Sequence, residues 1–194
     1  MVVPDSGRIE VGDTLRPTAR ALNGRGDSTA AVIVWSALDT TIQVVDSNAG
    51  TSVGRIVGNG RLQARVGNLR SNPVTITILA ALDSIRPGGA GRDTIIVSAP
   101  DSLSDSLTVQ AFGPTGSTAG RRIALGVIFP LGATNFTLVP RDTVHTNASG
   151  VALFQLRLTG VPLPDSAVVA ATARRADGTL VPGSPATFVV EFRP

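Results

Sequence analysis

Val144-His145-Thr146-Asn147-Ala148-Ser149-Gly150-Val151-Ala152-Leu153-Phe154-Gln155-Leu156-Arg157-Leu158 is the stretch that decides the fold class. A short extended run meets a turn of Asn, Ala, Ser and Gly, and a strictly alternating segment follows. Ala152, Phe154, Leu156 and Leu158 fall on one face, while Gln155 and Arg157 fall on the other. A period of two marks a strand buried on one side. Asn and Gly supply the side-chain hydrogen bonding and positive φ that a tight reversal needs. The stretch therefore predicts a hairpin in an antiparallel sheet.

Composition extends that reading to the whole chain. Its 194 residues are 42% hydrophobic, enough for packed cores, and 21 Gly with 13 Pro punctuate it too often for long helices. No long window keeps a 3.6-residue apolar period. The expectation is an all-β protein of two Ig-like antiparallel β-sandwich domains in tandem, each of roughly 100 residues.

Charge and chemistry narrow the function classes. Every basic residue is arginine, a bias that a GC-rich coding sequence produces unaided. The 17 Arg stand against 14 acids, so the net charge is only +3 despite a pI near 11.1. The arginines are scattered and the aromatics are six Phe and one Trp, unlike the basic, stacking face of a nucleic-acid binder. With no cysteine, disulfides and thiolate metal sites are excluded. No run of about 18 apolar residues predicts a transmembrane helix. Met1-Val2-Val3-Pro4-Asp5 lacks the charged and apolar regions of a signal peptide, so the sequence reads as cytosolic or as a mature or truncated form.

In the first half, residues 7–13 and 14–22 read as short strands, with Pro17 marking an edge or bulge. The Asn23-Gly24-Arg25-Gly26-Asp27-Ser28 loop precedes Ala31-Val32-Ile33-Val34-Trp35-Ser36, a central strand anchored by the single Trp. After residues 41–45 and a turn at 46–50, residues 52–57 and 61–66 flank Gly58-Asn59-Gly60, expected as a hairpin turn. Val74-Thr75-Ile76-Thr77-Ile78 closes a module at 1–85. Residues 86–92, centred on Pro87-Gly88-Gly89-Ala90-Gly91, read as a linker, and 93–194 as the second module.

That second module takes its strands from residues 94–97, 107–112, 122–129, 135–139, 143–146, 167–173 and 186–192, with an Asp/Ser-rich turn at 101–106. The two modules share an architecture but no residue-level repeat.

These residues also carry a family likeness. Val11-Gly12-Asp13-Thr14-Leu15, Val32-Ile33-Val34-Trp35-Ser36 and Gly60-Arg61-Leu62-Gln63-Ala64 make the first half resemble a bacterial Ig-like group 2 domain. Leu107-Thr108-Val109-Gln110-Ala111, Val127-Ile128-Phe129, Thr146 to Ala152 and Val168 to Ala173 make the second half resemble the group 1 domains of invasin and intimin type. Two stretches depart from the pattern: 46–57 is long and Gly/Ser-rich, and 160–166, with Pro162 and Pro164, is a long loop. The resemblance implies an extracytoplasmic stalk, adhesion or scaffold module, and it transfers no catalytic residues.

Several motifs compete with plain structure. Arg25-Gly26-Asp27 spells the tripeptide that integrin-binding proteins display, on a glycine-rich loop; this is the candidate binding loop. His145 is the only histidine, on a short strand, and no Gly-x-Ser-x-Gly elbow exists for a hydrolase. Asp46-Ser47-Asn48-Ala49-Gly50 starts like a calcium loop, but Val57 stands where the bidentate Glu would. Loop aspartates Asp101 and Asp105 are the other calcium candidates. Asn135-Phe136-Thr137 and Asn147-Ala148-Ser149 match the glycosylation sequon. Phe112, Phe129, Phe154, Phe188 and Phe192 are assigned to the second core, and any of them found in solvent becomes a contact candidate.

The sequence thus reads as a non-catalytic extracytoplasmic protein with no cofactor, acting through protein–protein contacts. It is an accessory subunit docked on an envelope or membrane complex, or an adhesin or stalk fragment. Candidate hosts are a membrane-embedded respiratory or photosynthetic complex and a longer surface protein. The alternative is a carbohydrate-binding β-sandwich.

Overall fold

The computed structural model describes residues 7–96, 102–132, 134–160 and 165–193. Val97, Asp101, Pro162 and Pro164 therefore lie outside the described residues. Every regular element among those described is a strand. The chain divides into two compact units, Met1–Ala81 and Leu82–Pro194, and each is an Ig-like β-sandwich.

The first unit opens with β1 (Arg8–Glu10), β2 (Thr14–Leu15), β3 (Ala21–Leu22), β4 (Ser28–Thr29) and β5 (Val34–Ala37). It continues with β6 (Ile42–Asp46), β7 (Thr51–Gly54), β8 (Gly58–Val66), β9 (Leu69–Arg70) and β10 (Val74–Leu79). One sheet runs β1-β10-β8-β5 with β9 beside β8; the other is only β2-β7-β6. β3 and β4 form a hairpin whose ladder is with each other alone. Ile9, Trp35, Leu62, Ile76 and Ile78 of the first sheet meet Leu15 and Ile42 of the second in one buried core.

Its first strand changes sheets. β1 pairs β10 in parallel, and three residues later β2 pairs β7. The Asp13 carboxylate accepts the Glu10 amide at 2.8 Å across this crossing, and the Asp13 amide donates to the Glu10 carbonyl at 3.0 Å. These bonds satisfy backbone groups that the interrupted ladder leaves over.

The expected hairpin turn at Gly58-Asn59-Gly60 is corrected. All three residues lie inside β8 and pair with Ile78, Thr77 and Ile76 of β10. A Cβ on Gly60 would stand 2.7 Å from Ile42 Cγ2 and 2.9 Å from Thr41 Oγ1. Glycine is there so that the Thr41 and Ile42 side chains can pack against the β8 backbone, not to reverse the chain.

The second unit contains β11 (Ser84–Pro87), β12 (Arg92–Ile96), β13 (Leu107–Gly113), β14 (Gly116–Ser117) and β15 (Arg122–Phe129). Then come β16 (Phe136–Val139), β17 (Thr143–His145), β18 (Val151–Leu158), β19 (Ser166–Ala173) and β20 (Ala186–Arg193). Its sheets are β11-β13-β18-β16, with β14 beside β13, and β12-β20-β19-β15-β17.

The 86–92 segment, expected as the interdomain linker, belongs inside this unit. β11 pairs antiparallel with β13 and β12 pairs parallel with β20, so these residues carry the opening strand from one sheet to the other. The Gly88 amide donates to the Thr108 carbonyl at 2.8 Å, and the Gly91 carbonyl accepts from Val189 at 2.9 Å. Glycines and proline here serve a strand switch, whose composition is that of a linker.

The 144–158 stretch meets a similar correction. Ala152, Phe154, Leu156 and Leu158 are buried as the alternation requires. Phe154 meets Phe188 edge-on, ring centroids 5.1 Å apart, and Phe136 stacks on Phe192 at 5.4 Å. The strands flanking the turn do not pair with each other, however: β17 pairs β15, and β18 pairs β13 and β16. A local turn, closed by the Asn147 amide on the Val151 carbonyl at 2.9 Å, serves as a corner between sheets.

Thr146 and Gly150 build that corner. The buried Thr146 hydroxyl accepts the Arg121 amide at 2.9 Å and donates to the Thr118 carbonyl at 2.8 Å. Gly150 has φ +74°, and a Cβ on it would lie 2.8 Å from both Ser117 Cβ and the Thr118 nitrogen. Left-handed backbone and a backbone neighbour both exclude a side chain. Gly150→Ala is therefore expected to destabilise the second unit by at least about 2 kcal/mol in urea unfolding. Gly24→Ala, with open space around its Cβ and no positive φ, leaves the midpoint unchanged.

Candidate functional site

Arg25-Gly26-Asp27 forms the end of the β3–β4 hairpin, and all three residues are exposed. The Asn23 side-chain oxygen accepts the amides of Arg25 at 2.9 Å and Asp27 at 3.0 Å, and Gly26 takes φ +88°. Asn147-Ala148-Ser149-Gly150-Val151 repeats the arrangement: Asn147 accepts the amides of Ser149 and Val151, and the glycine has positive φ. The tripeptide thus occupies a turn whose hydrogen bonds come from Asn23 and whose glycine the backbone demands.

His145 is exposed on β17 opposite Arg122. It lines a shallow groove of about 500 Å³ with Pro140, Arg141 and Leu153. Among the described residues no three His, Cys, Asp or Glu side chains gather as a metal site. The Asp46 carboxylate is turned inward to its own loop, accepting the amides of Asn48 at 2.9 Å and Ala49 at 3.1 Å. Those amides hold its carboxyl below the ordinary range. Asp105 donates its amide to the Asp93 carboxylate at 2.7 Å, and Asp101 lies outside the described residues.

Trp35 is 4% exposed, and Phe154, Phe188 and Phe192 are buried. Phe112 is half-buried beneath the Arg86 guanidinium, 4.4 Å from the ring centroid. Phe129 departs from the expected core assignment at 52% exposure. A bulge explains it: Val127 pairs Val169 and Phe129 pairs Val168, so Ile128 is an extra residue that breaks the alternation. Ile128 is 49% exposed and Leu131, past Pro130, is 91% exposed. Three apolar side chains, Ile128, Phe129 and Leu131, thus reach solvent at the end of β15 and just beyond it.

A second apolar feature lies in the first unit. Ala19, Ala21, Leu22, Ala31, Ile33, Ala64, Val66 and Leu69 line a groove of about 300 Å³, joined by Arg20, Arg65 and Arg70. Nothing local in the sequence signals that Leu22 and Leu69 line one groove, because they arrive from different parts of the chain. Elsewhere on β8, Arg61 holds Asp39 through Nε at 2.8 Å, Nη2 at 2.8 Å and its amide at 2.9 Å. The hydrogen-bonded Arg61 guanidinium, helped by that amide, keeps the Asp39 carboxyl below its ordinary 3.8.

No protein-family model matches the sequence, and no curated protein does. Solved structures do resemble it. An adhesin of Yersinia pseudotuberculosis, InvE, aligns over 100% of this chain and 58% of its own at 17% identity, TM-score 0.48. The D00–D0 region of intimin aligns over 100% and 98% at 16% identity, TM-score 0.35. Domains 4 and 5 of the S-layer protein SbsC align over 93% and 82% at 15% identity, TM-score 0.37. The chain thus spans less than two thirds of the InvE structure's length.

The Asp39–Arg61 pair yields a pH test. A carboxyl depressed in the folded state contributes stability above its unfolded pKa and loses it as pH falls through the folded value. The urea-midpoint difference between the wild type and Asp39→Asn is expected to be constant from pH 7 to about 5 and to shrink below about pH 4.

Proposed function

We propose that the chain is a non-catalytic, extracytoplasmic interaction protein, with the apolar end at Ile128, Phe129 and Leu131 as its contact surface. The exposure of these three neighbouring side chains is the observation that carries the reading. Apolar surface concentrated at one place costs solubility unless a partner covers it. Large apolar and aromatic side chains are also those that dominate binding energy when buried. A group 1-like second module, following a group 2-like first, supports a place outside the cytoplasm. The host is a longer surface protein or a membrane-embedded complex such as a respiratory or photosynthetic one.

The carbohydrate reading has less support. Sugar faces stack on exposed aromatic rings, Trp35 is buried, and Phe129 is the one exposed ring among the described residues.

A photo-crosslinking residue placed at Leu131, irradiated in intact cell envelopes, is expected to give a discrete protein adduct. Ile128→Ser with Phe129→Ser should reduce that adduct at least fivefold, while the same label at Arg25 gives none. An unchanged adduct in the double variant, or recovery of the protein from the cytosol alone, overturns the proposal.

A further inference from the structure

The first unit holds two Asn-Gly pairs, Asn23-Gly24 and Asn59-Gly60, and both asparagines are exposed. In such a pair the glycine nitrogen can attack the asparagine Cγ, because no Cβ shields it. The fold treats the two pairs differently. Asn59 and Gly60 are held in β8, opposite Thr77 and Ile76 of β10. Ring closure requires the asparagine to leave the extended backbone that a strand imposes, so the ladder blocks it. Asn23 and Gly24 lie outside any ladder, at the end of the β3–β4 hairpin.

The turn at Asn23 favours that attack. Its Oδ1 accepts the amides of Arg25 at 2.9 Å and Asp27 at 3.0 Å, and its carbonyl accepts that of Gly26 at 3.0 Å. Among the described residues the Gly24 amide has no hydrogen-bond acceptor, so the nucleophile is not tied down. Nothing stands within 4 Å of a Cβ position on Gly24, so the approach is open. When the nitrogen adds to Cγ, Oδ1 becomes an oxyanion, and the Arg25 and Asp27 amides already donate to it. Asn147 accepts a matching pair of amides, from Ser149 at 2.9 Å and Val151 at 3.0 Å, but Ala148 follows it. The two turns thus differ at the attacking residue.

We propose that Asn23 is a spontaneous modification site, converting to isoaspartate and aspartate through a succinimide, while Asn59 is protected by its ladder. The Gly24 nitrogen bonds to Asn23 Cγ, and the Cγ–Nδ2 bond breaks. The side-chain nitrogen leaves as ammonia, taking the proton that the Gly24 nitrogen gave up. Water then opens the ring. Opening at Cγ leaves aspartate, and opening at the main-chain carbonyl leaves isoaspartate. Nothing is oxidised or reduced, and water is the only co-reactant. Asn23 Nδ2 donates to the Asp27 carboxylate at 3.4 Å, and either product replaces that donor with a second negative charge. Isoaspartate also reroutes the main chain through Cγ, so the two Asn23 oxygens that anchor the turn exchange roles. Because β3 and β4 pair only with each other, no other strand's ladder resists the change. The reaction rewrites the exposed Arg25-Gly26-Asp27 loop and leaves the core alone.

The test is to age the full chain at physiological temperature and mildly alkaline pH, then digest it briefly with trypsin at mildly acidic pH. Cleavage at arginine isolates Asn23 on 21–25, Asn59 on 56–61 and Asn147 on 142–157, where mass spectrometry follows each. In the folded chain, 21–25 should deamidate at least tenfold faster than either other peptide. Electron-transfer fragmentation should show isoaspartate among its products, and the rate should rise with pH, since the attacking nitrogen must lose its proton. Gly24→Ala, whose Cβ meets open space, should keep the Trp35 fluorescence of the folded chain and slow 21–25 at least tenfold. In concentrated urea the ladder is gone, and 56–61 should catch up with 21–25. Equal rates for the three peptides in the folded chain overturn the proposal. So does aspartate without isoaspartate, an unchanged rate in Gly24→Ala, or a 56–61 peptide that stays slow in urea.

Discussion

The Thr146 hydroxyl is buried where the chain leaves one sheet of the second unit for the other, and two backbone groups depend on it. It accepts from the Arg121 amide and donates to the Thr118 carbonyl, while the Thr146 amide bonds the Arg121 carbonyl at 2.9 Å and its carbonyl accepts from Gly120 at 2.8 Å. A strand that changes sheets abandons its ladder, and polar backbone groups buried there need other partners. The bonds at Thr146 supply them, and they tie the approach to β15 to the approach to β18. Because those strands lie in different sheets, the tie sets where the sheets meet, so that Ile123 and Phe154 share one core.

The first unit meets the same constraint with fewer resources. Asp13 holds its crossing, but the second sheet stops at three strands, and the β3–β4 hairpin stands outside both. Packing at the sheet centres is complete, with Ile76 and Ile78 fully enclosed. The incomplete closure leaves an apolar groove lined by Leu22, Ile33, Val66 and Leu69. In the second unit both sheets have five strands and the core encloses its aromatic rings. The exposure of Ile128 and Phe129 there instead follows from the bulge in β15.

Alternation made the strands and their buried faces legible: Leu62, Ala64, Ala152, Phe154, Leu156 and Leu158 all lie where period-two patterning puts them. Glycine was where the reading failed. Gly58-Asn59-Gly60 and 86–92 have the composition of a turn and of a linker. In the fold, one is a close approach within a strand and the other a strand switch. Composition reports that the backbone needs freedom, whereas the neighbour that imposes the need, Ile42 or Thr108, is distant in sequence. The pairing partners of β17 and β18 were illegible for the same reason, since a corner and a hairpin share their local hydrogen bonds. At the sites, the Arg25-Gly26-Asp27 loop was visible as a motif. The groove that brings Leu22 and Leu69 together was not, and Phe129 reached solvent through a register shift that alternation cannot anticipate.

Reversals at Asn23–Asp27, Asn147–Val151 and 175–179 close with matching backbone bonds, and each has a glycine of positive φ in fourth place. Their geometry is specified by that glycine and by an Asn or Asp oxygen, leaving the side chains of Arg25, Ala148 and Ser149 with little part in folding. Such positions can drift neutrally, sampling new surface chemistry on a scaffold whose stability does not register the change. Arg25 stands at such a position, so a recognition loop there can be changed by substitution without any rebuilding of the sandwich beneath it.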